Sequence, residues 1–142
     1  MTFRLRSGQI LVELLLALGV MVLSVVTLAQ LTTRSVSNAG FSRMQSVASA
    51  EATAGMEWVR QQRDQLGWDV FAQIAGTHCI NSLAWAAGEC PAGSSITGTI
   101  LAREVVMSGT GNPNQRQADV VVKWQEGNRP AAVKQTTVFN RY

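Results

Sequence analysis

A single carboxylate, Glu13, interrupts an apolar run that otherwise extends from Ile10 to Leu31. A charged side chain at full membrane depth costs on the order of 2.5 to 3.5 kcal/mol, and somewhat less near the interface, so this position needs compensation. Gly8 and Gln9 stand just before it. If the chain were cut after Gly8, the new α-amino group of Gln9 would lie one helical turn from Glu13. An ammonium and a carboxylate in low dielectric would then pair, within one chain or between neighbouring copies. The plainer alternative is a polar residue that snorkels to the headgroups.

The two cysteines, Cys79 and Cys90, are close in sequence and lie well past the apolar run. In an oxidising compartment a disulfide is the expected state, and two free buried thiols are the alternative. Closing a loop of about ten residues is worth on the order of 2 to 3 kcal/mol in the chain-entropy view. His78 adjoins Cys79, but one His and two Cys do not complete a four-ligand metal site. No Ser, His and acid set, Walker loop or metal-ligand cluster is present at a recognisable spacing. Ser108 to Asn112 reads SGTGN, yet it joins two expected strands and precedes no helix, so it is a hairpin loop and not a phosphate cradle. The chain is therefore expected to be no enzyme and to need no cofactor or metal.

The element that must position Glu13 is a helix. Ile10 to Leu31 is 22 residues, and at about 1.5 Å per residue it spans roughly 33 Å, the thickness of a bilayer's hydrocarbon core. Arg4 and Arg6 precede it and no close basic cluster follows until Arg34 and Arg43. That asymmetry keeps the short leader in the cytoplasm and exports the bulk of the chain. A cleavable secretory signal with small residues at Thr27 to Ala29 fits less well, because the apolar run is too long for an h-region and carries an acid. The formal charge of +3 owes two of its positive charges to Arg4 and Arg6. The remaining basic residues are scattered, which argues against nucleic acid as a partner.

Past the membrane, Met44, Val47, Ala48, Gly55, Trp58, Val59 and Leu66 fall on one stripe at helical spacing. No proline intervenes, so one helix is expected from Gln9 to Asp64, with Glu51 inside the stripe as a solvated edge residue or the partner of an arginine. Trp58 and Trp68 read as core aromatics. Residues 67–95 read as a connecting loop with a short helix over Asp69 to Ile74. Three strands are expected at Ile96 to Met107, Ala118 to Gln125 and Ala131 to Phe139. In the middle one Val120, Val122 and Trp124 share the face that sits on the helix. The expected fold class is α+β, a long N-terminal helix packed on a three-stranded antiparallel C-terminal sheet.

The stretch GQILVELLLALGV, behind its short basic leader, resembles the amino-terminal signal of type IV pilins and type II secretion pseudopilins. That signal combines a Gly, an apolar stretch and a Glu at the fifth mature position. Two weaker likenesses are to minor pilins and minor pseudopilins: AGMEWVRQQRDQLGWDVF after the membrane helix, and DVVVKWQEG with TTVFN as a final hairpin. The resemblance implies that a prepilin peptidase cuts between Gly8 and Gln9, that Gln9 is then N-methylated, and that Glu13 sets the register of the incoming subunit. Gln9 replaces the apolar residue usual at that place, and an N-terminal Gln can cyclise, so methylation or assembly must preserve its amine for the pairing with Glu13. The family's usual helix proline is absent before Pro91, and no proline kink is expected.

The organisation that follows is a leader at 1–8, a membrane and filament-core segment at 9–31, an extracytoplasmic half-helix at 32–66, the disulfide loop at 67–95 and the sheet at 96–142. The implied partners are other pilin or pseudopilin subunits, the peptidase, an inner-membrane assembly platform, and membrane lipid before assembly. The implied location is the inner membrane, then an extracellular pilus or periplasmic pseudopilus. The competing expectation is a single-pass anchored binding module that never polymerises.

Overall fold

The computed structural model describes residues 7–141, and side-chain surroundings are described except at 7–9 and 31–34. The leader residues Arg4 and Arg6 lie outside the described residues. Helix α1 runs Ser7–Leu66, close to the expected span. Its composition of Leu, Ala, Met and Gln, with no proline, favours the helix throughout. Two compact units divide the chain, one to Phe41 and one from Ser42 onward, and each is described by itself. Within its described residues the first unit is helix alone.

The second unit contains the end of α1, a short helix α2 (Trp68–Phe71), and strands β1 (Gly76–Cys79), β2 (Ala86–Ala87), β3 (Ala102–Gly109), β4 (Gln115–Glu126) and β5 (Arg129–Asn140). They form one antiparallel sheet in the order β2-β1-β3-β4-β5. The fold class is α+β as expected, but the sheet has five strands, not three. The two additional strands come from the stretch read as a loop. β1 pairs Gly76 with Met107 through to Cys79 with Glu104, and four residues of mixed polarity are too short to show a period of two.

Ile96 to Leu101, expected as the start of a strand, is instead folded back on itself. Thr99 N–H donates to the Ile96 carbonyl at 2.9 Å, and Ile96 N–H donates to that of Leu101 at 2.7 Å. Gly98 at φ 80° supplies the left-handed conformation this needs. The helix expected at Asp69 to Ile74 shortens to α2, with the last residues in turns. β4 and β5 extend beyond their expected ends because their connection is a two-residue turn, with Glu126 paired to Arg129 and Gly127 at φ 59°.

Ala48, Ala52, Gly55, Met56 and Val59 form the buried stripe of α1. Met44 and Trp58 pack at its margin, whereas Val47 and Leu66 are exposed. Opposite lie Val105 and Met107 from β3, and Ala118, Val120, Val122 and Trp124 from β4. The inward face assigned to Val120, Val122 and Trp124 is thus observed. At Gly55 the helix comes closest to the sheet: a Cβ there would stand 2.8 Å from Arg103 Cδ and 3.0 Å from Val120 Cγ1.

Arg103 fills the space beneath that glycine. Its guanidinium donates to Glu51 Oε2 at 3.0 Å, to the Glu51 carbonyl at 3.0 Å, and to the Ile80 carbonyl at 3.2 Å. A longer bond of 3.4 Å reaches the Asn81 carbonyl. Glu51 is therefore the partner of an arginine and not a solvated edge residue. Burial draws the Arg103 guanidinium below its ordinary value, and the Glu51 carboxylate opposes that shift. An arginine still keeps its charge there.

The other face of the sheet carries its own polar network. Asp119 accepts from Thr136 Oγ1 at 2.7 Å and from Gln117 Nε2, and pairs with Lys134 Nζ at 2.9 Å. Burial pushes the Asp119 carboxyl up, but the hydrogen bonds from Lys134, Thr136 and Gln117, with the Lys134 charge, hold it below the usual value. A carboxylate so depressed stabilises the fold above its unfolded-state value, near 3.8. That contribution is lost as pH falls through the lower folded value. Urea midpoints should therefore fall between pH 5 and pH 3, and Asp119→Asn should flatten this fall while costing about 1 to 2 kcal/mol at pH 7.

Candidate functional site

From Ile10 to Leu28 the large apolar side chains of α1 are 45 to 68% exposed at consecutive positions. The run is thus apolar on every face and not along one stripe, which marks a helix that needs lipid or other helices around it. It is the one helix among the described residues long and apolar enough to cross a membrane.

Its hydroxyls are satisfied internally. Ser24 Oγ donates to the Val20 carbonyl at 2.7 Å, and Thr27 Oγ1 lies within bonding distance of the carbonyls of Leu23 and Ser24. Polar side chains that bond back to their own helix can enter an apolar medium cheaply. Glu13 cannot do this, because an ionised carboxylate only accepts. It is exposed and has no partner among the described residues.

Gly8 and Gln9 lie within the backbone of α1, and their side chains fall outside those described. The helix sets the Gln9 nitrogen one turn before Glu13, on the same side. Cys79 and Cys90 are joined in a disulfide with their Cα atoms 4.7 Å apart, so neither thiol is available to a metal. The bridge ties the loop after β1 to the sheet, where Cys90 N–H donates to Glu104 Oε1 at 3.0 Å and Lys123 Nζ reaches Glu104 Oε2 at 2.5 Å. Glu104 is thereby a buried carboxylate with both oxygens engaged, facing an open groove of about 770 Å³ lined also by Pro91, Ser94 and Gln125.

His78 is a strand residue and not a loop residue. Its ring meets Trp85 edge-on at 5.2 Å, and Trp85 meets Trp58 at a tilt of 50° with the ring centroids 4.9 Å apart. Trp85 Nε1 then donates to Gln62 Oε1 on α1 at 3.2 Å. The aromatics bind the disulfide loop to the helix, which agrees with a packing role for Trp58. Replacing both cysteines by Ala should lower unfolding stability by about 2 to 3 kcal/mol, and reductant should reproduce the loss in the native chain. Thermal melts with and without reductant measure both.

No family model matches the chain, and neither does any characterised protein or solved structure. The site is consequently read from its own geometry.

Two features escaped the sequence reading. The hydroxyl back-bonding of Ser24 and Thr27 follows from helix geometry once the span is assigned. The burial of Arg103 was legible in principle, since Leu101, Arg103, Val105 and Met107 alternate with Ala102, Glu104 and Val106. An arginine in register with three apolar residues is an inward residue.

Proposed function

We propose that the chain is a structural subunit, of the minor or initiating kind, of a type IV pilus or related pseudopilus. It is processed by a prepilin peptidase between Gly8 and Gln9 and assembled through α1. The observation that carries this reading is the carboxylate of Glu13, without a partner among the described residues and one helical turn beyond Gln9, in a segment otherwise apolar on every face. A simple anchor has no need of that acid. A subunit that moves from lipid into a helical bundle does, because its own or a neighbour's terminal amine neutralises it.

The same apolar surface serves both states, with lipid around it before extraction and other helices after. The disulfide-bonded second unit is suited to an oxidising exterior. The partners are then other pilin or pseudopilin subunits, the inner-membrane assembly platform and the peptidase. The chain begins as a single-pass inner-membrane protein with its head exported.

Deleting the peptidase tests the reading. The chain should keep its leader and vanish from sheared filaments. With the peptidase present, intact mass should show a terminus at Gln9 carrying one methyl group. A chain whose size and cellular distribution ignore the deletion is an anchored binding module. Loss of ammonia without methylation would remove the amine and with it the proposed pairing.

A further inference from the structure

The two sulfurs of the bridge stand in unlike surroundings. Cys79 closes β1, paired on one side with Ala86 of β2 and on the other with Glu104 of β3. It is 9% exposed and does not line the groove beside Glu104. Cys90 follows β2 in a loop, is only half-buried, and lines that groove together with Pro91, Ala102 and Lys123. Its Sγ lies 3.3 Å from the Arg103 carbonyl, which already accepts the Ile80 N–H. The sheet therefore closes one side of Cys90, and the groove is the open approach to it.

The segment that carries Cys90 is seated by ties other than the disulfide. Gly88 N–H donates to the Thr77 carbonyl at 2.8 Å, Cys90 N–H donates to Glu104 Oε1 at 3.0 Å, and Trp85 Nε1 reaches Gln62 of α1. Glu104 is 5% exposed, and Lys123 fixes it from its other oxygen. None of these contacts involves a sulfur atom, so they can hold Cys90 beside Cys79 in the dithiol state as well. Thiols so placed meet at high effective concentration. Exchange then starts at the sulfur an outside reagent can reach, since access limits it as much as thiolate character does.

We propose that Cys90 is the exchange sulfur of the bridge and Cys79 its resolving partner, with an external thiol–disulfide carrier entering through the groove. On closure the Cys90 thiol gives its proton to water and its sulfur attacks the carrier disulfide, which releases one carrier sulfur as a thiolate. Cys79, likewise deprotonated, then attacks Cys90 Sγ and displaces the second carrier thiolate. Two thiols of the chain become one disulfide, and the carrier disulfide is reduced to its two thiols. Opening runs the same steps backwards, with Cys79 as the leaving thiolate. The assignment concerns the second unit alone and stands whether or not the chain enters a filament.

Mapping the mixed disulfide tests this on the native sequence. Full-length chain in detergent, reduced without denaturant, is given glutathione disulfide, quenched in acid at short times and alkylated. Peptide mass spectrometry of the singly modified chain should find glutathione on Cys90 and the alkyl group on Cys79, in at least about tenfold excess over the reverse. In denaturant that preference should vanish. Equal modification in the folded chain, or an excess at Cys79, overturns the assignment. A thioredoxin-type dithiol protein, with its resolving cysteine replaced by serine, supplies a protein carrier against the oxidised chain. An adduct trapped through Cys90 shows that the groove admits a protein loop, and glutathione on Cys90 without that adduct limits the carrier to small thiols. An adduct through Cys79 refutes the proposal. Ala102→Trp fills the groove on the face of β3 that carries Glu104, at a strand position that accepts an aromatic residue. The variant should melt cooperatively and take glutathione at Cys90 at least about tenfold more slowly, and an unchanged rate removes the groove as the approach.

Discussion

Arg103→Met should destabilise the second unit by about 3 to 5 kcal/mol, the largest loss expected of any single substitution in it. The guanidinium is 3% exposed and holds the carbonyls of Ile80 and Glu51 together with the Glu51 carboxylate. Removing it leaves the Ile80 carbonyl, buried beneath the helix, without its side-chain donor and frees the loop after β1 from α1. Glu51→Leu alone should also be costly, because it strips a buried cation of its counter-charge. The double variant should recover part of the sum, by about 1 to 3 kcal/mol, since two apolar residues leave no unpaired charge. Urea unfolding of the four proteins completes the cycle. Strict additivity would show that the pair is not coupled.

How much of this was legible beforehand depended on the range of the signal. The membrane segment, the continuation of α1 and the hairpin of β4 and β5 rest on local patterns: an unbroken apolar run, a helical stripe, and alternation flanking Glu126-Gly127-Asn128-Arg129. Each was read from the residues involved. β1 and β2 were not, because Thr77, His78 and Cys79 become a strand only through their pairing with β3. Ile96 and Ile100 misled in the opposite sense, as apolar residues in a stretch that Gly98 turns back. Glu51 was recognised as anomalous in its stripe, but its partner stands far along the chain and could not be named. Of the candidate site, Glu13 was evident from its own surroundings, whereas the cut at Gly8 and the modification of Gln9 rest on likeness.

Glu13→Leu is expected to reduce the chain's content in sheared filaments by at least about 100-fold, while its content in the inner membrane holds or rises. The two halves have one cause. The substitution removes a carboxylate that lipid disfavours by on the order of 2.5 to 3.5 kcal/mol at full depth, and on the proposed subunit reading it would leave the Gln9 amine buried in the filament without a partner, at a cost of about 3 to 5 kcal/mol. Glu13→Asp should fall between, because its shorter side chain keeps the charge but not the reach. Quantitative immunoblots of filament and membrane fractions measure both effects. An anchored module gives the same membrane result with no filament fraction at all, and a filament fraction indifferent to Glu13→Leu would remove the acid from the assembly step.

If the second unit is exported as proposed, the sequence separation between Glu51 and Arg103 sets the order in which its parts cross. In a chain whose leader stays inside, Ala48, Ala52, Met56 and Val59 reach the exterior long before β3, β4 and Phe139, against which they pack. Until that later half has crossed, the stripe is bare and Glu51 has no cation. On the proposed subunit reading, a stalled or truncated translocation product should therefore be a ready substrate for extracytoplasmic proteases, which would clear heads that arrive without their sheet.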